Sequence, residues 1–87
     1  MAELPNAWED MLLLPEKWQA FLHARGETGM GYTTGDVVLK DGSVFRDVVF
    51  MNPYLGGVRG RTKGDIPFST DEIEHIEVTH KRWQWEW

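Results

Sequence analysis

The chain has no cysteine. That absence excludes disulfides, thiol nucleophiles and cysteine-ligated zinc, and it suits a reducing compartment. Long apolar runs are missing too, so no segment reaches the length needed to cross a bilayer. The first ten residues carry no basic cluster ahead of an apolar stretch and do not read as a secretory signal. Excess positive charge is also lacking. With 9 Lys and Arg against 14 Asp and Glu, the formal net charge is −5, which opposes an indiscriminate grip on phosphate. There is no internal repeat and no low-complexity segment.

What is present in quantity is aromatic surface. Five tryptophans in 87 residues matter to a chain this short, which has room for one modest core. One domain over residues 1–87 is expected, with a helical segment over 1–25 and a β-rich remainder over 32–87.

The strongest pattern lies between Asp36 and Phe50. Two runs rich in β-branched and aromatic residues flank Asp41-Gly42, a leading signal for a two-residue type I′ hairpin turn. That register sets Leu39 opposite Val44, Val38 opposite Phe45 and Val37 opposite Arg46. One face then carries Val37, Leu39, Val44, Val48 and Phe50, and the other Val38, Phe45, Val49 and Met51. Both are apolar enough to need cover.

Upstream, Asn6 and Glu9 form a capping-box pattern, and Trp8, Met11 and Leu12 fall at helical spacing. Pro15 opens a second helix to about Arg25, with Trp18, Phe21 and Leu22 as its apolar stripe and Gly26 just past its end. Residues 26–35 hold four glycines. The spacing is not that of a dinucleotide fingerprint, and the phosphate-loop lysine is absent, so the stretch reads as a connector. Downstream, Asn52–Gly57 reads as a turn, Val58–Gly60 as the start of a short strand and Asp65–Phe68 as an edge strand. Ser69–Glu72 reads as a helical turn, and a last strand runs from Glu74 through Thr79.

Three constellations bear on chemistry. His75 and Glu77 stand two apart on one strand face, a spacing that could contribute to a metal site, but His80 falls on the opposite face and the set is incomplete. The acidic Asp71, Glu72, Glu74 and Glu77 lack a burial signal that would set one carboxyl apart as an acid. Arg59, Arg61 and Lys63, with Tyr54 and Lys81, form a basic and aromatic set suited to single-stranded nucleic acid. The alternation of Trp83, Trp85 and Trp87 makes one large aromatic face, which either packs internally or meets a partner. An unbroken strand would put these rings opposite Ile76 and Val78, where the segment around Trp8 and Leu12 or a second chain would have to cover them; the expectation is instead a break at residues 79–82 that turns them inward.

The segments Glu27–Tyr32, Leu39–Gly42, Arg59-Gly60, Asp65–Phe68 and Val78–His80, followed by Trp83, resemble a family of short uncharacterised bacterial proteins. More loosely, Val37–Gly42 is similar to the first motif of Sm-like small barrels, among them a bacterial inhibitor of the terminator Rho. That resemblance implies an N-terminal helix, a bent five-stranded sheet and protein binding rather than catalysis. Asp47 stands where the Sm motif has glycine, and Arg59-Gly60 comes early for the second motif, so neither ring assembly nor RNA-contacting residues carry over.

The expectation is therefore an α+β domain. One or two N-terminal helices pack on a strongly bent, mostly antiparallel sheet or barrel of four or five strands, Sm-like or SH3-like. Its expected role is that of a cytoplasmic protein-interaction or regulatory module without catalytic activity, cofactor or membrane, binding a protein partner or itself. The alternative is a small barrel binding RNA or single-stranded nucleic acid, which the net charge disfavours.

Overall fold

The computed structural model describes residues 11–61 and 64–83. The elements run β1 (Leu12–Leu13), α1 (Glu16–Arg25), β2 (Thr33–Leu39), β3 (Val44–Met51), β4 (Tyr54–Val58), a 3-10 turn (Thr70–Glu72) and β5 (Ile73–Val78). All strand pairs are antiparallel, in the order β1-β4-β3-β2-β5. One helix and a strongly curled, half-barrel sheet make an α+β fold.

The hairpin between β2 and β3 is real, but its turn is not type I′. Gly42 N–H donates to Leu39 O at 2.9 Å and Leu39 N–H to Ser43 O at 2.8 Å, which closes a three-residue loop of Lys40, Asp41 and Gly42. Only Gly42 is left-handed, at φ 91°, the arrangement of a type I turn followed by a glycine bulge. Ser43 N–H donates to Asp41 Oδ1 at 2.8 Å, and this bond holds the Asp41 carboxyl below its usual range. The brace is present above the ordinary carboxylate pKa and is lost as pH falls through the lowered one.

The longer loop slips the register by one. Val38 faces Val44 and Val37 faces Phe45, whereas Gly35 faces Val48. Arg46 and Asp47 together therefore oppose Asp36 alone. This bulge switches faces along β3. Phe45, Val48 and Phe50 all join the core, and Val44, expected inside, is 50% exposed.

The same device recurs twice. In β4, Leu55 faces Phe50 and Val58 faces Val48, with the extra residue at Gly56-Gly57. In β5, Ile73 faces Leu39 and Ile76 faces Val37, with the extra residue at Glu74-His75. Each bulge lets two apolar residues three apart reach one core. Each also adds local twist, which is how so short a sheet curls. Curling brings its two ends together: Thr70 Oγ1, just before β5, donates to Leu13 O of β1 at 3.2 Å. Gly35 allows the close passage of β5, since a Cβ there would meet Glu77 O at 2.6 Å.

Helix α1 lies over the core through Trp18 and Leu22, both buried, while Phe21 is half-buried beside them. Pro15 is the N-cap rather than the first helical residue, and Gly26, at φ 78°, ends the helix. The helical reading of residues 6–12 fails at its end, because Leu12 and Leu13 pair with Leu55 and Tyr54 as a strand; residues 6–10 lie outside the described ones. β4 begins at Tyr54, inside the expected turn. Asp65–Phe68 is not a strand, and Phe68 instead packs its ring 5.0 Å from Phe45. The turn at Ser69 is as read: Ser69 Oγ accepts from Asp71 N–H and Ser69 N–H donates to Glu72 Oε1, a reciprocal cap.

Two substitutions test this packing. A Cβ at Gly42 would meet no atom within 4 Å, so Gly42→Val should cost mainly the left-handed backbone, about 1–2 kcal/mol, read by denaturant titration. Leu22→Ala should cost about 3 kcal/mol and Phe21→Ala less, because only Leu22 is fully enclosed. Equal losses at the two sites would contradict this placement of α1.

Candidate interaction surface

The face of the sheet opposite the core is covered by the chain that follows β5. The strand stops at Val78, and His80 adopts φ 55°. Thr79 and His80 N–H groups both donate to Thr34 O, at 3.0 and 3.2 Å, and Thr34 Oγ1 donates to Lys81 O at 2.5 Å. Thr34 and Val49, paired on this outer face, are thereby sealed from water. The break expected at residues 79–82 is thus present, and Trp83 beyond it is only 8% exposed.

Trp83 is held from two sides. Its backbone N–H donates to the Tyr32 hydroxyl at 3.3 Å, and the Arg59 guanidinium stacks on its ring at 4.9 Å. Arg59 also donates to Arg82 O at 2.9 Å and reaches Asp47 Oδ2 at 3.6 Å. Lys81 Nζ approaches Asp47 Oδ1 at 3.6 Å. That oxygen is buried and accepts no hydrogen bond among the described residues, so the two cations are what compensate its charge.

Asp47 itself is left-handed, at φ 56°. The structure supplies the reason a non-glycine residue is tolerated there. Asp47 N–H donates to Asp36 Oδ1 at 3.0 Å, its O accepts Arg59 N–H at 3.0 Å, and its carboxylate anchors Arg59 and Lys81.

Among the described residues, the arginines and Lys81 of the basic set lie beside carboxylates. Arg59 and Lys81 share Asp47, Arg61 pairs with Asp65 at 3.2 Å, and Arg46 lies 3.6 Å from Asp36. Tyr54 starts β4 while Arg59 follows its end, a separation of roughly 16 Å at ~3.3 Å per residue. Lys63, Trp85 and Trp87 lie outside the described residues. His75 Nε2 meets Glu77 Oε2 at 3.2 Å, whereas His80 is engaged elsewhere. Among the described residues no three His, Asp or Glu side chains gather to hold a metal.

Sequence reasoning passed over the loop of residues 27–32. Thr28 Oγ1 hydrogen-bonds His80 Nδ1 at 2.8 Å and accepts Thr34 N–H at 3.0 Å. Thr28 N–H donates to Tyr32 O at 2.8 Å, and Gly31 N–H to Glu27 Oε2 at 3.0 Å. Met30, at the tip between two glycines, is 99% exposed. A cleft beside it is lined by Thr28, Tyr32, His80 and Arg82. An apolar residue between glycines in a loop was the available signal.

No protein-family model, curated protein or solved structure matches this chain. Among the described residues no helix is long and apolar enough to cross a membrane.

The left-handed bulge gives a discriminating test. Asp47→Gly loses the two ion pairs but relaxes the backbone, whereas Asp47→Ala loses the same pairs and keeps the left-handed strain, so the alanine variant should be less stable by about 1 kcal/mol. Thermal or urea unfolding measures the difference. Alanine equal to or better than glycine would contradict the left-handed assignment.

Proposed function

We propose that this protein is a small interaction module that works by binding another protein, not by catalysis. The observation that carries this reading is Met30, fully exposed on a loop braced at Thr28, Gly31 and Tyr32. A braced loop presents an apolar side chain with little ordering left to be lost on association. Covering one methionine gains about 1.5–3 kcal/mol. The Sm-like resemblance supports the same reading, since its Rho-inhibiting member implies protein contact. Pairing of Arg46, Arg59, Arg61 and Lys81 with carboxylates weighs against a phosphate-binding surface.

The test is affinity capture from a native cell extract with wild type and Met30→Asp. Specific capture should survive nuclease, persist between about 50 and 200 mM salt, and fall about tenfold or more in the variant. The unchanged unfolding midpoint of the variant would show that the fold is intact. Release by nuclease, or steep loss with salt, would favour the nucleic-acid alternative. Undiminished capture by Met30→Asp would overturn the role of the loop.

A further inference from the structure

Among the described residues, the second outer strand of the sheet, β5, pairs with β2 on one side only. Which of its backbone groups face the open side follows from the ladder. Thr79 N–H donates to Thr34 O, so the next hydrogen-bonded partners toward the strand centre are Asp36 with Glu77, then Val38 with His75. Ile76 and Val78 fall between them, and their N–H and C=O groups point away from β2. Beside that edge runs a groove whose walls are Phe21 of α1 and Ile76 and Val78 of β5, with Arg25, His75 and Glu77 at the rim. Phe21 and Val78 are only half-covered by the core they pack against. The Phe21 and His75 rings meet in a T-shaped arrangement with centroids 6.5 Å apart, and the Arg25 guanidinium lies 4.4 Å from the Phe21 ring centroid.

An edge strand beside a helix, with apolar side chains between them, is the geometry in which an extended peptide adds as a further strand. Main-chain bonds then supply affinity, and alternate side chains enter the groove. The charges select the occupant. Glu74 and Glu77 are exposed along the strand, and the chain carries −5 overall. A second copy of β5 would bring these same carboxylates toward the edge, and the bulge at Glu74-His75 breaks the flat register that self-pairing uses.

We propose that the groove between β5 and α1 binds an extended segment of a partner protein in which apolar residues alternate with basic ones. Main-chain bonds would form to Ile76 and Val78, apolar side chains would pack against Phe21 and Val78, and the basic side chains would face Glu74 and Glu77. This deepens the interaction reading by naming a ligand class, and it uses residues other than Met30.

The probe is a capped peptide alternating valine with lysine, titrated into the full chain while backbone amide signals are followed. In the free protein, Ile76 and Val78 amides should exchange with water faster than those of His75 and Glu77. Peptide should shift the Ile76 and Val78 signals and slow their exchange. Replacing alternate residues of the peptide by proline should abolish the effect, and replacing lysine by glutamate should weaken it about tenfold. Val78→Pro removes the outward donor and should lose binding; if that variant does not fold, the proline-containing peptide serves alone. Shifts confined to Met30 and Arg82, equal binding of the proline peptide, or no shift at millimolar peptide would overturn the proposal. Concentration-dependent shifts of β5 without peptide would overturn it in favour of self-pairing. Met30→Asp should leave this binding unchanged, so failure here and failure of the Met30 reading are told apart.

Discussion

The bulge at Arg46-Asp47 is the constraint on which the rest of this structure depends. Without it, β3 would present Val44 rather than Phe45 to the core, and the aromatic contact between Phe45 and Phe68 would not form. Two further bulges, at Gly56-Gly57 and Glu74-His75, follow the same rule. In each strand the core-facing pair is three apart: Phe45 with Val48, Leu55 with Val58, Ile73 with Ile76. An unbulged sheet of this size would offer one flat face, which a ten-residue helix covers poorly. Bulged strands bend around Trp18 and Leu22 instead, and the two outer strands come close enough for Thr70 to reach Leu13.

The bulge also organises the opposite face. Because Asp47 turns left-handed, its carboxylate meets Arg59 and Lys81, and Arg59 in turn stacks on Trp83. Partly exposed ion pairs contribute no more than about 1 kcal/mol each, so their value here is mainly geometric. They hold the segment after β5 across Thr34 and Val49, and burying the Trp83 ring contributes more than the pairs do. The second left-handed residue, His80, ties this segment to the loop that carries Met30. Core, outer cover and the exposed apolar tip are thus mechanically connected.

Much of the fold was legible in the residues. Helix α1, the Asp41-Gly42 hairpin, the helical turn at Ser69–Glu72 and the break before Trp83 all followed from local chemistry. Register did not, because a parity argument assumes an unbroken ladder, and three ladders are broken. The signal was present as apolar residues spaced by three inside strand-like runs, which resembles helical periodicity. Leu12 and Leu13 were misread for the same reason: helical spacing from Trp8 and Met11 loses to pairing with Leu55 and Tyr54. Gly56-Gly57 concealed β4, because paired glycines read as a turn. Of the candidate site residues, Arg59, Lys81 and Trp83 do converge, around Asp47, which was not read as a site residue. Met30 had a signal in its flanking glycines, whereas Thr28 becomes visible only when the loop is seen against His80.

The central claim is that β3 changes face at Asp47, and cross-strand proton contacts test it most directly. Nuclear Overhauser spectra of the full chain should show Val38 opposite Val44 and Val37 opposite Phe45 near the loop, then Gly35 opposite Val48 beyond the bulge. The Asp47 amide–α proton coupling should be that of a left-handed residue. Contacts of Val38 with Phe45 and Val37 with Arg46, with an extended Asp47, would mean an unbroken ladder and would contradict this account.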